Sequence, residues 1–291
     1  MQKYREIIDD WQAFKKERES HPTNTARRND LKASENFDQQ IKERFEDVEQ
    51  ASWNRKIYRL KSTETPGKTS MHWRGEYYVQ EESASLPAHI LDPQPGEKIL
   101  DMCAAPGGKA TQIAEKMNNK GLVVANDDSA QRMKSLHANV YRTGSACITA
   151  TNYDGRAIPE DEKYDRVLVD APCSGEGDRF YRNFEPASEE EVEGLSELQK
   201  QLVDKAKNLL KPDGVLVYST CTINPQENEG VVRHLLEQGL ELEKIDTEFP
   251  HSEGVEKFEG EIYGEEMRKT VRIYPHHLNS GVIFVAKFRK T

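Results

Sequence analysis

Cysteine is scarce in this 291-residue chain: four, at 103, 147, 173 and 221, with no CxxC pair. That excludes a disulfide framework and a zinc ribbon, and it predicts reduced thiols and no metal site. Long apolar runs are also missing. No stretch reaches the ~18–20 apolar residues that span a bilayer, and the N-terminus MQKYREIIDDWQAFKKERES has no apolar signal core. The expectation is a cytoplasmic protein without membrane contact. There is no internal repeat and no low-complexity segment. Neither GxGxxG nor GxxxxGK[ST] occurs, so pyrophosphate or triphosphate cradling is not favoured. Excess positive charge is lacking too: 51 acids stand against 41 bases, a net charge of −10 with pI about 5.4. Such a surface argues against non-specific coating of nucleic acid but leaves room for one local basic groove.

The length accommodates one large or two modest domains. Tyr4, Ile7, Ile8, Trp11 and Phe14 recur at helical spacing, which predicts one amphipathic helix over residues 1–19. A short strand around Ala26–Lys32, a helix over Asn36–Arg44 and a strand near Trp53–Leu60 follow, so residues 1–75 read as a helix and a small α+β module. From residue 76 to 291 the texture changes. Short apolar runs (Lys98–Leu100, Leu122–Ala125, Arg166–Val169, Gly214–Tyr218) alternate with amphipathic stretches (Ala110–Met117, Ala130–Val140, Leu198–Leu210, Val231–Glu237), and Gly281–Phe288 supplies a late strand. This rhythm predicts an α/β fold with a mostly parallel, doubly wound, Rossmann-like sheet.

In such a sheet, ligands bind outside the carboxyl ends of the strands. Strand Lys98–Leu100 runs into Asp101-Met102-Cys103-Ala104-Ala105-Pro106-Gly107-Gly108-Lys109, a small-residue turn that lets backbone approach a cofactor; a tight turn without a ligand is the plainer alternative. Acids recur at later strand ends: Asp127, 26 residues after Asp101 and suited to a ribose hydroxyl, then Asp154 and Asp170. Asp128 could exchange roles with Asp127, although a position facing away is expected. Taken singly, each acid could be a turn or cap residue. Asp170-Ala171-Pro172-Cys173-Ser174-Gly175 and Ser219-Thr220-Cys221-Thr222 each put a thiol just past a strand on that same edge. A thiol there becomes a nucleophile when its pKa is lowered, and two beside an Asp suggest covalent attack on an electrophilic ring. Cys147 reads as inert packing, and Cys103 as a small residue of the turn.

Together with Glu227-Asn228-Glu229 and Arg272-Ile273-Tyr274-Pro275-His276, these motifs resemble the Sun-type (Nol/Nop/Sun) RNA (cytosine-5) methyltransferases, in order from about Tyr77 to Lys287. Thr25-Arg27-Arg28-Asn29-Leu31-Lys32 looks like the small RNA-binding module that precedes the catalytic domain there. The resemblance implies S-adenosyl-L-methionine wrapped by Cys103, Ala104, Ala105, Pro106, Gly107, Gly108 and Lys109, with Asp127 on the ribose, Asp154 near the adenine and Asp170 near the methionine end and the target base. It implies Cys221 as the nucleophile on cytosine carbon 6, and Cys173 as the residue that assists release. Ala110 departs from the family's usual threonine. The implied substrate is RNA, with tRNA of the archaeal type favoured over rRNA because the chain is compact. DNA methylation, with Cys173 as nucleophile, would leave Cys221 unexplained. A non-catalytic RNA-binding assembly factor would be expected to have lost a thiol or the glycine turn. Nothing points to an obligate protein partner.

A candidate RNA track lies between Trp53 and Gly75, where Arg55, Lys56, Arg59, Lys61, Lys68 and Arg74 oppose only Glu64, a local charge of +5. Trp53, Tyr58 and Trp73 are interleaved as possible stacking faces. The alternative makes the aromatics core and the bases a solvated face. Arg179 and Arg182 supply a second patch beside the reactive cysteines.

Overall fold

A computed structural model describes residues 2–17, 23–61, 64–179 and 186–291. The first segment is not one helix. Gln2–Glu6 forms a 3-10 turn, and helix α1 (Trp11–Glu17) starts afresh because the Asp10 carboxylate accepts the backbone N–H groups of Gln12 and Ala13. Asp9, just before the break, accepts from the Nε2 atoms of His276 and His277 at 2.9 and 3.0 Å. The apolar stripe is real, but it packs on the large domain: Tyr4 stacks on Phe258, and Phe14 meets Tyr274 edge-on. These residues therefore belong to the core of the large sheet rather than to the small module.

The small module is a four-stranded antiparallel sheet built from β1 (Asn24–Arg28), β2 (Asp47–Gln50), β3 (Ile57–Lys61) and β4 (Tyr77–Val79), ordered β2-β3-β1-β4, with helix α2 (Phe37–Arg44) against it. Strand β2 escaped the sequence reading because Asp-Val-Glu-Gln is a polar edge strand with little apolar signal. Strand β4 pairs with β1, so the module continues past residue 75. Its core is Ala26, Phe37, Ile41, Tyr58, Leu60 and Tyr77. Short helices α3 (Ser70–Arg74) and α4 (Leu86–Leu91) flank the passage to the large domain.

The large sheet is doubly wound, as the alternation predicted. Its parallel strands are β5 (Lys98–Asp101), β6 (Leu122–Asn126), β7 (Ile148–Thr151), β8 (Tyr164–Asp170) and β9 (Leu210–Thr220), in spatial order β7-β6-β5-β8-β9. Helices α5 (Gly108–Lys116), α6 (Ala130–Thr143), α7 (Glu176–Arg179), α8 (Glu189–Leu209) and α9 (Glu229–Glu237) alternate with them. Beyond β9 come short antiparallel pieces: β10 (Glu241–Glu243), β11 (Ser252–Glu253), the ribbon β12 (Lys257–Phe258) and β13 (Glu261–Ile262), β14 (Val271–Ile273), helix α10 (Pro275–Leu278) and β15 (Ile283–Arg289). β15 lies antiparallel against β9. Strand order reverses at β5, which has β6 on one side and β8 on the other, so the crevice opens over the carboxyl ends of β5 and β8. Among the described residues no helix is long and apolar enough to cross a membrane.

Candidate active site

The turn after β5 works because its two glycines meet different demands. Gly107 has φ +107°, and a Cβ there would stand 2.9 Å from Leu136 Cδ1; at Gly108 it would press on Tyr78 and Gln80 at 3.2–3.3 Å. Residues Cys103 to Lys109 thus pass between the small module and α6 with no room for side chains at the bend. Ala110, where the family pattern has threonine, is buried in α5.

Two adjoining cavities meet at this turn and share Cys103 and Asp170. The larger, of about 390 Å³, is lined by Asp127, Asp128, Asp154, Asp170, Cys173 and Cys221 among others, so acids from three strand ends and both thiols face one space. That volume is in the range of small-molecule sites. Asp127 is 1% exposed, and its oxygens accept from Ala105 N and Ser129 N, each at 3.1 Å; it braces the turn as well as lining the cavity. Asp128 does not face away, as the sequence had suggested: it is exposed and lines the same cavity. Asp154 is paired with Arg156 at 2.6 Å, which holds its carboxyl down at about 2.

Asp170 ends β8 and is gripped from two sides, by Lys109 Nζ at 2.7 Å and Ser219 Oγ at 2.6 Å. Burial pulls the Lys109 ammonium down, but the contact with Asp170 outweighs it, and its pKa ends above the ordinary value. Asp101 is fully buried beside this pair, and neither of its carboxyl oxygens has a side-chain partner. Burial, then repulsion from Asp170, push it up to about 7. A carboxyl left without a partner beside a cavity suits a ligand that brings its own donor or cation, and the ammonium and hydroxyls of S-adenosylmethionine fit this ring of acids.

Cys173 Sγ lies 3.3 Å from Cys221 Sγ. The contact with Cys221, then burial, hold the Cys173 thiol well above its ordinary pKa. Burial likewise raises Cys103, as expected for a packing residue of the turn. The loops carrying the thiols are fixed by a buried polar network that the sequence marked only as a motif. Glu227 accepts from Ser174 N (2.9 Å), Ser174 Oγ (2.5 Å) and Gln199 Nε2 (3.0 Å), while Asn228 Nδ2 donates to Thr222 O at 3.0 Å. Glu229 binds Arg272 in a buried pair, and Arg272 Nη1 donates to Ile223 O at 2.9 Å. Gly177 N–H donates to Cys221 O at 3.0 Å, and a Cβ on Gly177 would lie 2.5 Å from that oxygen. Sequence reasoning missed Gln199 and Gly177 and marked Ser219 only as part of a motif, without its bond to Asp170, because hydrogen bonding across strands leaves no local pattern.

The candidate RNA track is redrawn. Trp53 is buried, with its indole N–H on Glu82 at 2.7 Å, and Tyr58 is buried with its hydroxyl on Asp38, so neither is free to stack. Lys56 pairs with Glu115 and Asp30, Arg59 with Glu82 and Glu49, and Lys61 with Asp47. The +5 count missed acids delivered from elsewhere in the chain. Arg55 and Trp73 remain exposed. Arg179 closes α7, but its side chain and Arg182 lie outside the described residues.

Residues 88–289 match the family model of 16S rRNA methyltransferase RsmB/F, and residues 1–82 that of the N-terminal domain of 16S rRNA methyltransferase RsmF. The chain is 42% identical over 257 residues to the tRNA (cytosine(49)-C(5))-methyltransferase of Pyrococcus abyssi, covering 86% of this chain and 82% of that one. It is 40% identical over 238 residues to ribosomal RNA small subunit methyltransferase F of Shewanella amazonensis, covering 78% and 48%, and so spans about half the length of that relative. A solved methyltransferase homolog protein from Pyrococcus horikoshii superposes with a TM-score of 0.86 at 30% identity, covering 96% of this chain and 90% of that one. The chain belongs to the RsmB/F family of S-adenosylmethionine-dependent RNA (cytosine-5) methyltransferases.

Proposed function

We propose that this protein forms 5-methylcytosine in tRNA through a covalent adduct on Cys221. The observation that carries the reading is the contact of Cys173 with Cys221 at the ends of adjacent parallel strands, beside the Lys109–Asp170 pair. A pyrimidine C5 is a poor nucleophile until a thiolate on C6 gives it enamine character. Cys221 Sγ adds to C6, and the electron pair of the C5–C6 double bond becomes available at C5. S-adenosylmethionine, when bound, supplies an electrophilic methyl group. C5 takes the methyl while the cofactor's sulfur keeps the C–S electron pair as a neutral thioether, C5 then gives up its proton to solvent, and Cys173 assists release. The C5–C6 double bond re-forms as the Sγ–C6 bond breaks. Asp170, fixed by Lys109 and Ser219, hydrogen-bonds the ring edge in this reading, and Cys103 to Lys109 with Asp127, Asp128 and Asp154 hold the cofactor.

Coverage favours tRNA: the archaeal relative, named for a tRNA cytosine, is matched over most of its length. An rRNA substrate is the second reading, supported by the family description. Bisulfite sequencing of tRNA and rRNA from cells lacking the gene separates them. Cys221→Ala should abolish methyl transfer with cofactor binding retained, and Cys173→Ala should accumulate an RNA adduct that survives a denaturing gel. Near-normal turnover by Cys221→Ala would overturn the nucleophile.

A further inference from the structure

On a chain of net charge −10, residues 65–75 carry Lys68 and Arg74 and no acid, and helix α6 carries Arg132, Lys134 and Arg142 and no acid. Where they meet, Trp73 is 74% exposed and Tyr141 is 90% exposed, and both line one cleft with Lys32, Arg74, Glu76 and Arg142. Apolar rings of this size are normally buried, and the fold does not leave these two out by looseness. Arg142 Nη1 donates to the carbonyls of His72 (2.9 Å) and Tyr77 (3.1 Å), and Asn29 Nδ2 donates at 2.8 Å to both Gly75 O and Thr143 O. Gly75 is pressed so closely on α6 that a Cβ would sit 1.9 Å from Arg142 O. The backbone on both sides of the cleft is therefore pinned, one wall from the small module and the other from the methyltransferase sheet. Glu76 is the single acid lining it among the described residues, and Arg74 neutralises one of its oxygens at 2.5 Å.

We propose that this cleft stacks an unpaired nucleotide of the RNA substrate on Trp73 and Tyr141, with Lys32 and Lys134 on the flanking phosphates; the inference rests on the RNA reading above. Lys134 lies one turn before Ala138 and two before Tyr141, on the same stripe of α6. Aromatic faces beside bases are what single-strand recognition uses, and a pre-pinned platform limits the entropy lost on binding. The cleft spans the two halves of the protein, so an RNA held there is registered against the cofactor turn, whose Pro106 carbonyl accepts from Asn139 of α6.

The test uses the full-length protein and a fluorescein-labelled, unmodified tRNA transcript. Trp73→Ala and Tyr141→Ala should each weaken RNA binding about tenfold or more, while Trp73→Phe retains most of it. KM for RNA should rise with kcat little changed, and cofactor affinity, measured by calorimetry, should stay constant and report an intact fold. Lys32→Gln with Lys134→Gln should flatten the salt dependence by a slope of about 0.7 per lost contact. Unchanged RNA affinity in both alanine variants overturns the platform and leaves the cleft as a face for a protein. A wild-type protein that neither binds nor methylates tRNA or rRNA transcripts overturns the RNA reading itself, which distinguishes the two failures.

Discussion

Arg27 of the small sheet and Glu115 of helix α5 form a buried ion pair, Nη1 to Oε2 at 3.1 Å, with both side chains 2% exposed. Arg27 Nη2 also donates to Gly108 O and Thr111 Oγ1, each at 3.2 Å, and Lys56 reaches the other Glu115 oxygen at 2.6 Å. The glycine turn is thereby keyed to the module that precedes it. Arg27→Ala or Glu115→Ala strands a buried charge and should cost about 3–5 kcal/mol in urea unfolding. The double change Arg27→Met with Glu115→Leu should recover most of that loss. A double variant as unstable as the two losses added together would show that the pair is not the source.

Asp127 and Asp128 should separate by what they lose. Asp128→Ala should weaken S-adenosylmethionine binding without altering stability, because its carboxylate lines the cavity and is exposed. Asp127→Ala should weaken binding by ~1–3 kcal/mol and also lower Tm, since it leaves the N–H groups of Ala105 and Ser129 unpaired. Calorimetry and thermal unfolding on the same samples decide it; an unchanged Tm for Asp127→Ala contradicts the bracing role.

Asp101 makes stability depend on pH. Its folded pKa of about 7 lies above the ordinary 3.8, so the native state holds the proton more tightly than the unfolded chain. The contribution is complete below about pH 4 and is lost as pH rises toward 7. Asp101→Asn should therefore remove this slope and make the ligand-free protein more stable at pH 8, by roughly 2–4 kcal/mol. Parallel pH profiles for the two proteins would reject the assignment.

Glu227 positions the Cys173 loop without touching the thiol. Glu227→Gln turns an acceptor of three hydrogen bonds into a group whose amide opposes the Ser174 N–H. Its expected signature is a kcat fall of about 10²-fold with cofactor Kd unchanged, because misplacing a reacting group by about 1 Å is that costly. Retained kcat would remove Glu227 from the support of the site.

The small module shows where local reading fails. Counting bases between Trp53 and Gly75 gave a free cationic strip, yet Glu82, Glu115, Asp30 and Asp47 arrive from other segments to neutralise Lys56, Arg59 and Lys61. Trp53 and Tyr58 look as available as Trp73 in one dimension. Only packing separates two core rings from one exposed ring, and only the α3–α6 junction brings Tyr141 beside it.

By itself the sequence determined the doubly wound sheet, the glycine turn after β5 and the placement of Asp127, Asp154, Asp170, Cys173 and Cys221 at strand ends. Those features follow from periodicity and from small residues at fixed offsets, which act within a few residues of the chain. The tertiary structure alone decided that Cys173 and Cys221 touch, that Lys109 and Ser219 grip Asp170, and that residues 2–17 pack on the far end of the chain rather than on the module they precede. Each of these joins groups dozens to hundreds of residues apart. Burial and hydrogen-bond satisfaction choose such partners only once the whole core has formed.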